Sequence, residues 1–586
     1  MKHLRKALVV LLCLALCASF STISFAQDES ATFGDVLQDN FMRITSSDAW
    51  NKGTFENTVL TEEVGNGAIR LAEGQLEGSW VSEEIDVPAF EYMIASWSAD
   101  TPTGASVEIM VNAYVDMKGE WSGWMSWGRW GTGIKRGCAD TSNALAYVNT
   151  DILTIKGSSG ETASKIQVKA VLRTVDGGKT PTLRDISTTS KNTLEGQAIP
   201  VYHANDGMEL PEKVLLNTPA YSQMRRDGAI GSVICSPTTM TMMINDRNPE
   251  LDLFPEELAL RDYDFAYEGF GNWPFTTAVG SAYGYSVSCH YTDLDFIRQE
   301  LACGRSVALS VHYANHEGGS NPYLENGAAN DTSGHLICIV GYETIDGVEY
   351  FYSNDAATQP DSKCALRMYR ADQLENCWGS HVAYQVSSEP EQGAGQDAPE
   401  RIAATLEVSE SNPDNYRLMV NGEQVVLSKS FLRKTSVTGA GTAFLIADGA
   451  ALDTMPDGMK TTTANTAQIT YIGTSADGHV YISTNKMQAA GITDATAYII
   501  INDGPTYVAT VSFPPAPAAE PETPAETPVE PEAPAESETP AETPEVPAEP
   551  VEKAGVDPMI VVGALVVVAV LLAVALKALR KKNGKN

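Results

Sequence analysis

The sequence predicts a multidomain chain: an α+β domain flanked by two mainly-β, sandwich-like domains, with a C-terminal transmembrane helix. Three observations predict it. At 586 residues the chain is too long for one ordinary domain. Alternating apolar and polar residues fill the stretches from about 30 to 200 and from about 400 to 512, whereas the stretch between them opens on a helical pattern and then turns to strands. Finally, Met559 to Leu576 is an unbroken apolar run.

Taken in chain order, Lys2, Arg5 and Lys6 precede an apolar run from Ala7 to about Leu16, and small and polar residues lead on to Ser24-Phe25-Ala26. That order predicts a signal peptide over residues 1–26, cleaved after Ala26. Residues 30–200 are the first sandwich-like domain. Ser106 to Val111 and Lys165 to Leu172 alternate with period two, and Gly, Asn and Asp break the runs. Trp121, Trp124, Trp127 and Trp130 recur at a helical spacing, but Gly123 and Gly128 argue against a helix. Two readings stay open for these tryptophans: a platform for a carbohydrate or cell-wall ligand, or packing in the core and at strand ends.

Residues 210–390 are the α+β domain and hold most of the cysteines and histidines. Residues 400–512 return to β texture, as in Ala467 to Ile472 and Ala497 to Ile501, with no cysteine, so no chemistry is expected there. Residues 514–555 are a Pro/Glu-rich run with too little apolar surface to offset chain entropy, and they read as a disordered, extended stalk. The transmembrane helix is placed at 559–579: at about 1.5 Å per residue its apolar run spans roughly 27 Å, and Lys577 can snorkel at the boundary. Arg580, Lys581, Lys582 and Lys585 make residues 580–586 a basic cytoplasmic tail. The expectation is a single-pass cell-membrane protein with an extracellular body, of Gram-positive-like surface type. No LPxTG-like sorting signal precedes the apolar run, so the helix itself is the expected anchor.

The net charge of −35 comes partly from the stalk, and no basic stripe marks a nucleic-acid partner. Beyond the signal peptide stand cysteines 138, 235, 289, 303, 338, 364 and 377, an odd number that leaves at least one thiol unpaired within the chain. Cys364 and Cys377 are open to pairing. No Cys-x-x-Cys and no His-Glu-x-x-His occurs, and neither a metal nor an organic cofactor is expected.

The chemistry-bearing residues lie in the α+β domain. In Gly231-Ser232-Val233-Ile234-Cys235-Ser236-Pro237, a turn-like stretch leads into the cysteine, and Pro237 suits the first turn of a helix with Met240, Met243 and Ile244 on its apolar face. Cys235 therefore stands at a helix N-terminus, where the dipole and free N–H groups favour thiolate, the attacking species. In Thr332-Ser333-Gly334-His335-Leu336-Ile337-Cys338-Ile339-Val340-Gly341-Tyr342, His335 stands at the mouth of an apolar strand. A turn at Gly347 leads to a second strand, Tyr350-Phe351-Tyr352-Ser353-Asn354-Asp355, and an antiparallel hairpin sets Asp355 beside His335, with Asn354 on the other face. Gln223, in Tyr221-Ser222-Gln223, precedes Cys235 by twelve residues and has a side-chain amide suited to an oxyanion. His312 and His316 lack a following strand and carboxylate, and rank as residues flanking the cleft.

The order Tyr-Ser-Gln, Cys-Ser-Pro-Thr, Gly-His-Leu-Ile-Cys-Ile-Val-Gly-Tyr and Ser-Asn-Asp, over about residues 212–390, resembles the bacteriocin-processing double-glycine peptidase-like family of the papain-like cysteine peptidase superfamily. The resemblance implies a papain-like α+β fold, a triad of Cys235, His335 and Asp355, and Gln223 as oxyanion donor. Ser236 stands where the family commonly has glycine, and Ala356 where it often has proline; neither change removes a reacting group. The implied activity is hydrolysis of a peptide or protein substrate. The alternatives are a cell-wall peptide amidase or transpeptidase on the same fold, and a catalytically inactive surface adhesin.

Overall fold

The computed structural model describes residues 40–194, 210–226, 230–396, 398, 400–408, 415–425 and 505–512, with strands at 443–446, 472–474, 480–482 and 494–500. These residues belong to one compact unit that ends at Pro517. The expected signal peptide, stalk, membrane helix and basic tail fall on residues outside those described. Among the described residues, no helix is long and apolar enough to cross a membrane.

The N-terminal part is built from two antiparallel sheets. One runs in the order Ala146–Asn149, Ile152–Ile155, Tyr92–Asp100, Thr182–Lys191, Ala68–Leu71, Thr58–Thr61, with Phe41–Ile44 also on Thr182–Lys191. The other runs Thr54–Glu56, Glu77–Val81, Ala163–Arg173, Ser106–Val115, Glu120–Trp130, with Ile85–Phe90 also on Ala163–Arg173. The predicted alternation is plain in Ser106–Val115, where Val107, Ile109, Val111, Ala113 and Val115 are fully buried and the residues between them are not. The tryptophan series lies on a single strand, Glu120–Trp130, not a helix. Two register shifts opposite it, with positive φ at Gly123 and Gly128, break the period of two and leave tryptophan at every third position. Trp127 and Trp130 are core residues, whereas Trp121 and Trp124 are half-buried.

The α+β part carries one antiparallel sheet of seven strands: β1 (Lys213–Leu215), β2 (Val287–Tyr291), β3 (Val307–Ala314), β4 (Asp331–Ile345), β5 (Val348–Asn354), β6 (Arg367–Arg370) and β7 (Val382–Val386). Their order is β2-β7-β3-β4-β5-β6, with β1 on β4. Helices α1 (Cys235–Arg247), α2 (Pro255–Asp262), α3 (Trp273–Ser281) and α4 (Leu294–Ala302) complete the layer. Helix α1 is buried from Ser236 through Asn245, so it has no solvent face and Met240, Met243 and Ile244 are only part of what it buries. His335 is not at a strand mouth. Strand β4 starts at Asp331, and His335 pairs with Val311 inside the ladder.

The two parts share their core. One contiguous apolar cluster runs from Trp50, Trp97 and Ile186 to Met240, Phe275 and Tyr384. Strands Tyr92–Asp100 and Thr182–Lys191, although rich in serine and threonine, are buried almost throughout. Strand β2 is the sheet's edge, and an edge strand leaves backbone N–H groups unpaired. Here Ser98, Ser96 and Thr189 accept from the N–H groups of Val287 (3.2 Å), Cys289 (2.8 Å) and Tyr291 (2.8 Å). Arg184, wholly buried, bridges Asp100 at 2.8 Å and Glu391 at 2.6 Å.

In the third part, Arg401–Val408 pairs parallel with Thr506–Ser512, and Arg401 and Thr506 both engage Glu257 of α2. All seven described cysteines are reduced, and Cys364 and Cys377 are buried apart from any disulfide: their thiols meet the carbonyls of Thr358 and Pro322.

Candidate active site

Cys235 opens helix α1. The preceding Ile234 offers no side-chain cap, so the first-turn N–H groups are left for other acceptors. The half-buried thiol takes hydrogen bonds from His335 and from the N–H groups of Leu336 and Ser236. Burial alone would raise the thiol, but these donors and the His335 charge outweigh it and hold Cys235 below its ordinary value of 9.0. Thr239, one turn further on, donates to the Leu336 carbonyl at 3.1 Å and ties the helix to β4.

The His335 Nε2 lies 2.8 Å from Asp355 Oδ1, which leaves Nδ1 for the thiol. Burial would lower the imidazole, but the Asp355 charge and hydrogen bond reverse that and, with Cys235, push it up to about 10. The hairpin that brings the pair together turns through Asp346 and Gly347, both at positive φ, as a two-residue turn matched to strand twist requires. Asn354 does face elsewhere: its amide donates to the Thr218 carbonyl at 2.9 Å, and its oxygen accepts from Leu366 N–H.

Asp355 is fully buried and surrounded by donors. Oδ1 also accepts from Ala357 N–H at 3.0 Å, while Oδ2 accepts from the phenols of Tyr313 at 2.6 Å and Tyr369 at 2.7 Å. Burial would raise this carboxyl; His335, Tyr313 and Ala357 instead hold it well below the usual carboxylate range. Sequence reasoning missed both tyrosines. Each sits in a strand where an aromatic residue ordinarily means core, and only the strand order sets them on one carboxylate.

Gln223 is buried on a short turn packed against the turn that leads into Cys235. Its backbone N–H donates to Ala356 at 3.0 Å, and its amide donates to the Gly231 carbonyl at 3.0 Å. The amide oxygen is buried with no hydrogen-bond partner among the described residues. Ser236 is not idle: its hydroxyl lies 2.9 Å from Thr276 and 3.0 Å from Tyr384, and Thr276 donates to Asp262 at 3.0 Å. Burial raises Asp262 well above the usual carboxylate range.

His312 is half-buried and would meet any side chain added at Gly379, and His316 is exposed. The N-terminal part also borders the site. Asp151 accepts from the N–H of Trp273, burial pushes it up to about 7, and the half-exposed Tyr267 lies within electrostatic reach of both Asp151 and Cys235. Among the described residues, no group of three or more His, Cys, Asp or Glu side chains is arranged to hold a metal ion.

Residues 215–386 match the family described as Peptidase_C39 like, and residues 40–190 match the Peptidase C39 N-terminal domain. Comparison with curated protein sequences returned no match. Among solved structures, procathepsin B S9 of Trypanosoma congolense is similar at 10% identity over 33% of this chain and 84% of its own, with a TM-score of 0.24. Digestive procathepsin L 3 of Tenebrio molitor larval midgut is similar at 14% identity over 33% and 74%, with a TM-score of 0.24. TmCBM61, in complex with β-1,4-galactotriose, is similar at 15% identity over 26% and 88%, with a TM-score of 0.14. Scores this low do not define a shared fold. On the two family matches, residues 40–190 and 215–386 belong to the C39, double-glycine-type, family of papain-like peptidases.

Proposed function

We propose that this chain is a cysteine peptidase in which Cys235 is the nucleophile, His335 the general base and acid, Asp355 the group that orients the imidazole, and Gln223 an oxyanion donor. One observation carries the reading: a thiol held below its ordinary value at a helix N-terminus, hydrogen-bonded to a histidine whose Nε2 is 2.8 Å from a buried carboxylate. In the first step the Cys235 thiolate attacks the carbonyl carbon of a peptide bond, and the electron pair moves to the oxygen. The Cys235 N–H and the Gln223 amide receive that charge. The His335 imidazolium gives its proton to the departing amine as the C–N bond breaks. His335 then takes a proton from water as the water oxygen attacks the thioester carbon; the C–S bond breaks, the carboxyl product leaves, and the thiolate–imidazolium pair is restored.

The lowered thiol favours a working peptidase over an inactive adhesin, because a purely binding surface has no need of an imidazole and carboxylate aligned on a cysteine. The substrate is a peptide or protein. Export by residues 1–26 and anchoring by residues 559–579 belong to the same proposal, with the body extracellular on the cell membrane. The expected result for Cys235→Ala is loss of hydrolysis of a fluorogenic peptide library and loss of labelling by a thiol-directed peptidase probe, with an unchanged circular dichroism spectrum. Retained hydrolysis in that variant overturns the proposal.

A further inference from the structure

Two phenols converge on the carboxylate oxygen that His335 does not use. Tyr313 comes from β3 and Tyr369 from β6, on opposite sides of the β4–β5 hairpin that carries His335 and leads into Asp355. Both are fully buried. Tyr313 donates to Asp355 Oδ2 at 2.6 Å and itself accepts from Ala329 N–H at 3.0 Å, which fixes the direction of its O–H. Tyr369 donates to the same oxygen at 2.7 Å. A carboxylate oxygen offers about two lone-pair sites, and on Oδ2 both are taken by phenols. Two short O–H···O⁻ bonds to one oxygen draw off charge that would otherwise act on His335.

We propose that Tyr313 and Tyr369 are positioning residues that hold Asp355 in its orientation and set how firmly it keeps the proton on His335. The inference rests on the peptidase reading above. A general acid that is held too strongly gives up its proton slowly to a leaving amine, so the clamp trades some Asp355–His335 attraction for a more labile proton. The titratable and charged groups facing the pair are Cys235 from α1, Tyr313 from β3, Tyr369 from β6 and Cys364 from the short helix Asp361–Cys364, with Arg367 beyond Tyr369. Tyr313 packs edge-on against the His335 ring, 6.1 Å between centroids, a contact that phenylalanine keeps, so the loss of either hydroxyl reads out on His335 through Asp355.

The test is the rate of Cys235 alkylation by iodoacetamide against pH, in the full chain, for wild type, Tyr313→Phe, Tyr369→Phe and the double variant. Wild type should alkylate in two steps: one as the thiolate–imidazolium pair forms, and a second, faster one as His335 loses its proton. Each Phe variant keeps the ring and should move the second step to higher pH by about half a unit or more, the order expected when a donor to the neighbouring carboxylate is lost. The double variant should move it further. A second step that stays in place or moves down in variants with native circular dichroism overturns the inference, even if peptide hydrolysis falls, because that outcome is mere loosening. If wild type itself has no accelerated alkylation below the ordinary thiol range, the peptidase reading fails first.

Discussion

Cys235 and His335 share one proton, and this sets how stability depends on pH. His335 is raised from 6.5 to about 10, so alone it contributes stability that is fully present below 6.5 and lost as pH rises through about 10. Cys235 is depressed, so it contributes stability that is present above 9.0 and lost as pH falls through its folded value. Above 6.5, from the pH at which the folded Cys235 thiol has ionised up to 9.0, the folded pair and the unfolded chain each hold one proton, and the two slopes cancel. Wild-type stability from urea unfolding should therefore be nearly flat across that window. In Cys235→Ala the histidine's own slope is exposed, and stability should fall as pH rises above 6.5. A flat profile in that variant would mean that His335 is not held protonated by Asp355.

At the scale of elements, the junction between the N-terminal part and the α+β sheet depends on an edge strand closed by side chains. The N–H groups of β2 point at the hydroxyls of Ser96, Ser98 and Thr189 rather than at another strand. Ser96→Ala leaves the Cys289 N–H buried without its acceptor, which should cost about 1–3 kcal/mol in urea unfolding. Strand β2 lies at the far end of the sheet from β5, so the same variant should leave the iodoacetamide profile of Cys235 unchanged. The His335–Asp355 hairpin was legible because its strand pattern, two-residue turn and terminal Asn-Asp are local features. The far side of Asp355 was not legible: Tyr313 and Tyr369 are 42 and 14 residues from it in sequence, and nothing in their own segments marks them as phenol donors.

For the described body as a whole, the sandwich and the α+β sheet share one apolar core, so the two are expected to unfold together. Arg184 lies at their junction, fully buried, with Asp100 on one side and Glu391 on the other and its second amino group on the carbonyls of Ser281 and Tyr285. Removing one member of such a cluster strands the remaining charges away from water, so Arg184→Ala should cost about 3–5 kcal/mol. Calorimetry should record that loss as a downward shift of a transition that the two parts share. A variant in which only one of two separate transitions moves would show the parts to be independent. Read separately, residues 30–200 and 210–390 are neighbours in sequence; in the structure they have a common core.

The sequence by itself determined what local chemistry can encode: the start of helix α1 at Cys235, the alternation of the sandwich strands, and the hairpin that sets Asp355 beside His335. These follow from short-range rules of periodicity, turn geometry and capping, which act within a dozen residues. Only the tertiary structure decided the rest. The hydroxyls of Ser96, Ser98 and Thr189 carry no local mark of the edge they close, because a serine that meets water and one that accepts from a buried N–H are the same letter. The two phenols on Asp355 likewise depend on the order in which β3, β4, β5 and β6 lie side by side. That order is fixed by packing between segments far apart in the chain, where no local pattern reaches.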